Sequence, residues 1–157
     1  MFDFMVTFIG KATAKVDDKG RIVFPSLFKS AMASSGEEDM SLVIHKDIYS
    51  DCLEVYTFAE WQRQSEAVKA KLDLLDERHA KFWRRYMLDR AVVVPDSKFG
   101  RISIPSELLG KIGVKKEVVF LGSDYKIELW AKEVFDAQIL SDDEYRSIAR
   151  DLSSSQR

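Results

Sequence analysis

An α+β fold, in which two copies of one β-rich unit share a core around a helical insert, is what the sequence predicts on three observations. Val16–Pro25, VDDKGRIVFP, is matched by Asp96–Pro105, DSKFGRISIP, with Gly20 and Gly100 separated by 80 residues. The parallel then continues downstream. PSLFKSAM answers to PSELLGKI, SLVIHK to EVVFLG, and CLEVYTFAEWQRQ to KIELWAKEVFDAQ, which sets Glu54 opposite Glu128, Tyr56 opposite Trp130 and Trp61 opposite Phe135. Self-similarity of this kind marks a repeat. Between the copies, residues 58–88 contain neither Gly nor Pro and carry an apolar stripe at helical spacing.

A chain of 157 residues makes one ordinary domain or two very small halves. Halves of that size are marginal alone, so a shared core is expected. The formal net charge is −2, but its distribution is uneven. Residues 1–35 carry five basic and three acidic side chains, and residues 81–105 carry six and two. Both copies of the motif therefore lie in basic parts of a mildly acidic chain, as expected where one face meets a polyanion. Cys52 is the single cysteine, which excludes an intrachain disulfide and a thiolate zinc site and suits a reducing compartment. The apolar opening MFDFMVTFIGK lacks a basic leader region, and no apolar run approaches the roughly 18 residues of a membrane span, so a cytoplasmic protein is expected.

Taken in order, Phe4–Ile9 is a continuous apolar run that reads as a buried strand or as an anchor on a neighbouring copy. Lys11–Val16 alternates, with Lys11, Thr13 and Lys15 on a basic outward face. Asp17, Asp18, Lys19 and Gly20 form a tight turn, since Asp and Gly tolerate the backbone angles that hairpins need. Arg21–Phe24 is the returning strand of that hairpin. Pro25 begins a short helix, SLFKSAM, where its missing N–H does no harm. Ser41–His45 and Cys52–Tyr56 read as a strand pair joined through Asp47, Tyr49, Ser50 and Asp51. Thr57 is placed as a helix N-cap with Glu60 completing a capping box.

The stripe Phe58, Trp61, Ser65, Val68, Leu72, Leu75, His79, Phe82, Tyr86 keeps 3,4 spacing. A single rod of about 31 residues would reach roughly 46 Å, too long for a small domain. A helical hairpin breaking near Leu72–Asp76 is expected instead, with Asp73 or Asp76 capping its second arm. The second copy starts at Ala91–Val94. Val118–Leu121 and Ile127–Trp130 form its strand pair, turned by Gly122, Ser123 and Asp124. A helix begins in Glu133–Leu140, and another runs over Ser141–Leu152 with Ser141 as N-cap and Glu144 at the third position, before a frayed SSSQR tail.

The chemistry lies in the doubled turn. Lys19 and Arg21 flank Gly20 at the end of a strand that also carries Lys11 and Lys15, while Lys98 and Arg101 flank the second turn. Arg forks two N–H donors onto guanine or phosphate, Lys supplies a mobile charge, and a two-stranded ribbon fits the major groove. Solvated charges on two sturdy turns are the alternative, which the duplication disfavours. Arg84 and Arg85, on the helix before the second copy, are more ordinary helix arginines. Pro95–Asp96 and Asp124–Tyr125–Lys126 superficially match the PD-(D/E)xK pattern of magnesium-dependent nucleases, but Asp124 sits in a Gly-Ser-Asp turn where Asp is common for backbone reasons. Two distant histidines and one cysteine suggest neither a metal site nor a catalytic triad. No cofactor, small-molecule substrate or enzyme activity is expected. His45, Cys52, Trp61, Trp83 and Trp130 read as core.

With VDDKGRIVFP near the start, GRISIP after a helical insert and a closing KIELW followed by a helix, residues 6–150 resemble the MraZ family. The resemblance implies a duplicated AbrB-like swapped-hairpin β-barrel core with a central helical hairpin and a C-terminal helical segment. It also implies a nucleoid-associated transcriptional regulator that binds repeated double-stranded DNA sites in the promoter of the division and cell wall gene cluster, as a ring-like homo-oligomer. A structural ring binding another protein is the alternative outside DNA binding. The family's DxxGR element falls on Asp17, Gly20 and Arg21. In the second copy only Gly100 and Arg101 match, Ser97 stands at the Asp position with Asp96 displaced by one, and Arg85 matches a family position. The expected units are 1–57 and 91–140 as repeats, 58–90 as the helical insert, and 141–157 as helix and tail. Lys15, Lys19, Arg21 and Arg101, with Lys98 and Arg85, are the expected DNA contacts.

Overall fold

The computed structural model describes residues 5–155. Eight strands and six helices follow one another as β1 (Lys11–Lys15), β2 (Arg21–Val23), α1 (Ser26–Ser34), β3 (Leu42–Lys46), β4 (Leu53–Thr57), α2 (Phe58–Ala70), α3 (Glu77–Leu88), β5 (Ala91–Val93), β6 (Arg101–Ser103), α4 (Ser106–Lys111), β7 (Glu117–Ser123), β8 (Lys126–Ala131), α5 (Lys132–Gln138) and α6 (Asp142–Ser155). The fold is mixed α+β, with two antiparallel sheets. One is six-stranded in the order β1-β7-β8-β4-β3-β5, and the other is the β2-β6 ribbon. Replacing each strand of the six by its counterpart in the other copy reverses that order onto itself.

The turns do not close hairpins. β1 and β2 join different sheets: β1 pairs with β7, Lys11 to Leu121 through Lys15 to Glu117, and β2 pairs with β6. Each copy likewise lends a strand to the other's pair, since β5 adds to β3 with Ala91 opposite Ile44. The expected barrel is not closed by hydrogen bonds among the described residues, because β1 and β5 remain edges.

The core lies between the two sheets. Leu42, Ile44, Leu53, Val55, Val118, Phe120, Ile127 and Leu129 project from the large sheet, Ile22 and Ile102 from the ribbon, and Phe28, Met32, Leu108 and Leu109 from α1 and α4. Phe28 meets Phe8 edge-on with ring centroids 5.7 Å apart. Burial of this apolar surface from both copies at once is the main source of stability.

Several local expectations are corrected. Phe4 lies outside the described residues, and the run after it is not a buried strand: Val6 and Phe8 are buried while Met5, Thr7 and Ile9 are exposed. That segment lies against the β7-β8 turn, with Phe8 N–H donating to Asp124 O at 2.6 Å and Gly122 N–H to Gly10 O at 2.7 Å. A Cβ on Gly122 would stand 2.7 Å from the backbone of Phe8 and Ile9, so glycine permits the approach. Gly122 and Ser123 belong to β7, which leaves Asp124, at φ +65°, and Tyr125 as the turn. Pro25 is the cap before α1 and not its first residue. Thr57 Oγ1 accepts from Glu60 N–H at 3.1 Å, but the Glu60 carboxylate is taken by Arg63 and Gln64, so the box is half made.

α2 and α3 are separate helices, and Asp76 caps the second by accepting from Arg78 N–H at 2.9 Å. The stripe is buried only in part. α3 buries no residue, Leu75 is exposed, and Phe82 and Tyr86 line an open cavity of about 400 Å³ against β3 instead of joining the core. Trp61 and Trp83 are half-buried, and of the three tryptophans only Trp130 is buried. Ser141 and Glu144 form the full capping box of α6, which runs on through Ser155, so the expected tail is helical as far as it is described.

Candidate nucleic-acid interface

Asp17 builds the first turn. Its Oδ1 accepts the N–H groups of Lys19 and Arg21 at 2.9 and 2.8 Å, and its Oδ2 accepts Arg21 Nε at 2.7 Å. Gly20, at φ +77°, donates to Asp17 O and so closes the loop. The second turn, one residue longer, is built by Asp96. Its Oδ1 accepts Lys98 and Phe99 N–H at 3.0 and 2.6 Å, and its Oδ2 accepts Arg101 N–H and Nε at 3.0 and 3.2 Å. Displacement of the Asp by one position is absorbed by the extra residue. The Phe99 N–H bond is the main cause that depresses the Asp96 carboxyl to about 2, opposed by desolvation and aided by the Arg101 side chain. Asp17 is lowered in the same way, chiefly by the Arg21 N–H.

The two turns are tied reciprocally: Phe24 N–H donates to Gly100 O at 2.9 Å and Ile104 N–H to Gly20 O at 3.3 Å. In the ribbon Arg21 faces Ser103, Ile22 faces Ile102 and Val23 faces Arg101. With a side-chain period of two, Arg21, Val23, Arg101 and Ser103 share the outward face, while Ile22 and Ile102 are fully buried beneath. Both arginine side chains, 31% and 29% exposed, are held through Nε. Among the described residues neither places its terminal nitrogens on a protein acceptor. Each arginine is therefore oriented by a carboxylate through Nε, and the fork that would grip guanine or phosphate keeps its terminal donors without a protein acceptor.

Arg21 and Arg101 line one open groove of about 380 Å³ with Val92, Val93, Val94, Asp96 and Ser103. Sequence reasoning missed the apolar members. The signal for Val92 and Val94 was the two-residue period, which makes them the outward positions of the β5 segment.

The other expected contacts are placed differently. Lys19 is exposed at the first turn, and Lys15 is exposed on β1 opposite Glu117. Lys98 extends over the Phe99 ring, its Nζ 5.2 Å from the centroid. Arg85 is not brought among them. It pairs with Asp89, which also binds Lys111 at 3.3 Å, and it lines the separate cavity beside β3. The nuclease-like residues do not assemble either: Asp96 serves its own turn, while Lys126 pairs with Glu54 and Glu128. No group of three or more His, Cys, Asp or Glu that could hold a metal ion occurs among the described residues. His45 and Cys52 are buried, and burial pushes the Cys52 thiol up to about 12.

A family model described as "MraZ protein, putative antitoxin-like" matches residues 7–83 and 89–154. The chain belongs to the MraZ family. Among its relatives, a protein of Bacteroides thetaiotaomicron is 31% identical over 148 residues, covering 94% of this chain and 93% of the relative. One of Bacteroides fragilis is 36% identical over 129 residues, 82% and 80% of the two chains. One of Caldanaerobacter subterraneus subsp. tengcongensis is 33% identical over 147 residues, 93% and 96% of the two. Each of these three MraZ relatives is named a transcriptional regulator. Among the described residues no helix is long and apolar enough to cross a membrane.

Proposed function

We propose that this chain is a sequence-specific DNA-binding transcriptional regulator, cytoplasmic and nucleoid-associated, whose β2-β6 ribbon contacts repeated sites in the promoter of the division and cell wall gene cluster. The observation that carries the reading is the placement of Arg21 and Arg101 on one exposed face, each braced by an Asp with its terminal nitrogens unoccupied. Names of relatives agree with it. The strands exchanged between copies support the AbrB-like swapped-hairpin architecture in two repeats, 1–57 and 91–140, with 58–90 inserted and 141–157 appended.

Lys15 and Lys19 supply sequence-independent phosphate contacts, Lys98 flanks the second turn, and Arg85, beside the separate cavity, would add a contact only to a duplex that extends that far. A ring-like homo-oligomer would present many ribbons to several DNA repeats, so that weak contacts add by avidity. Exposed Leu140, Tyr145 and Ile148, on and just before α6, support self-association.

A gel shift with a duplex spanning that promoter tests the reading. Arg21→Ala and Arg101→Ala should each cost about 1–3 kcal/mol and relax specificity at one base. Unchanged affinity at moderate salt would defeat it, and absence of any binding by the unaltered protein would favour a structural ring that meets another protein.

A further inference from the structure

The residue before the turn glycine changes from cationic to aromatic between the two turns. In the first it is Lys19 and in the second Phe99, 55% exposed and outside both clusters of the apolar core. Phe99 is not loose: its N–H is fixed on Asp96 Oδ1 at 2.6 Å, and the Arg101 guanidinium carbon and Lys98 Nζ both lie over its ring, 4.7 and 5.2 Å from the centroid. Cation–π attraction thus couples the ring to the arginine that the ribbon presents. Val23, Val92 and Val94 are also more than half exposed around the same arginines. A surface that mixes cationic forks with apolar side chains is complementary to the major groove, where guanine acceptors stand beside thymine methyl groups, and Phe is among the side chains that contact such a methyl.

We propose that Phe99 reads thymine methyl groups in the major groove beside the Arg101 contact, an inference that rests on the DNA-binding reading above. The second turn then recognises a base that the first, with Lys19 at the matching place, does not. Although the strand order reverses onto itself, the bound DNA site has a direction.

The test replaces each thymine of the promoter duplex in turn by deoxyuridine, which removes only the methyl, and measures binding by the full chain and by its Phe99→Ala and Phe99→Lys variants. One or two positions should lower the affinity of the unaltered protein about fourfold, the equivalent of one buried carbon group, and have no effect on either variant. Phe99→Lys should also steepen the salt dependence by about one ion. Melting curves matching the parent show that the exposed position is not needed for folding. Insensitivity of the unaltered protein at every thymine, or sensitivity that persists in Phe99→Ala, overturns the proposal while leaving DNA binding standing. If the unaltered protein binds no duplex, both fall together.

Discussion

Arg21 and Arg101 stand on the same face of the β2-β6 ribbon, one at each end, with Arg21 opposite Ser103 and Arg101 opposite Val23. Antiparallel pairing of two short strands produces this diagonal from two copies of one motif. Each arginine is tied through Nε to the carboxylate of its own turn, a restraint that limits where the fork points without satisfying it.

Removal of that restraint should separate specific from non-specific binding. Asp17→Ala and Asp96→Ala each delete a negative charge beside the groove, so affinity for random-sequence duplex at low salt should hold or rise. The freed guanidinium should discriminate bases less well, and the ratio of promoter to random affinity should fall by about fivefold or more. Competition binding reads the ratio directly. A loss equal for both DNAs would show that the carboxylates serve only the fold.

Acid should dissolve the second turn over a definite range. The folded Asp96 carboxyl, at about 2, lies below the unfolded value near 3.9. The contribution of its hydrogen bonds is therefore complete above about pH 4 and is lost as pH falls toward 2. NMR titration of the Asp96 carboxyl carbon checks it, and an ordinary midpoint near 4 would contradict the geometry.

Much of the interface was legible because it depends on local chemistry repeated in the chain. Both turns, the Thr57 and Asp76 caps and the α6 capping box follow from residue types at fixed spacings. Strand partners were not legible as hairpins, because a turn settles the direction of the chain but not which strand hydrogen-bonds to it. β1 finds β7 across 102 to 110 residues through burial common to both copies. The displaced Asp96 misled for a similar reason: carboxylate geometry tolerates one extra residue in the turn. The Arg85–Asp89 pair follows from its i,i+4 spacing, but that Asp89 also holds Lys111, 22 residues further on, depends on the tertiary fold.

Gly122 bears on how the N-terminal segment is held. Gly122→Ala would place a methyl 2.7 Å from the Phe8 and Ile9 backbone, and backbone cannot yield as a flexible side chain does. The Phe8 contacts with Asp124 and Phe28 should loosen together. A loss of about 1–3 kcal/mol in urea unfolding is expected, in the range of overpacked sites. Unchanged stability would mean that the segment can move away freely.

Lys126 is the counter-charge of a buried polar group on the opposite side of the large sheet from the core. Its side chain is 13% exposed and meets Glu54, 10% exposed, while Glu54 also faces His45 Nε2 at 3.2 Å without hydrogen-bond alignment. Burial lowers the His45 pKa, and nearby Arg90 lowers it further against the pull of Glu54, so the imidazole is neutral and does not replace the lysine as counter-ion. For Lys126, desolvation acts downward, but the Glu54 hydrogen bond and charge prevail and the pKa is raised. That stabilisation is whole below the unfolded lysine value near 10.4 and disappears as pH rises through the higher folded value. Lys126→Met strands the Glu54 carboxylate in a dry site, and stability should drop by about 3–5 kcal/mol. Adding Glu54→Gln removes the stranded charge and should restore most of the loss, a coupling that a double-mutant cycle measures. A single-variant cost below about 1 kcal/mol would mean that water already reaches Glu54, because only a desolvated carboxylate depends so strongly on one cation.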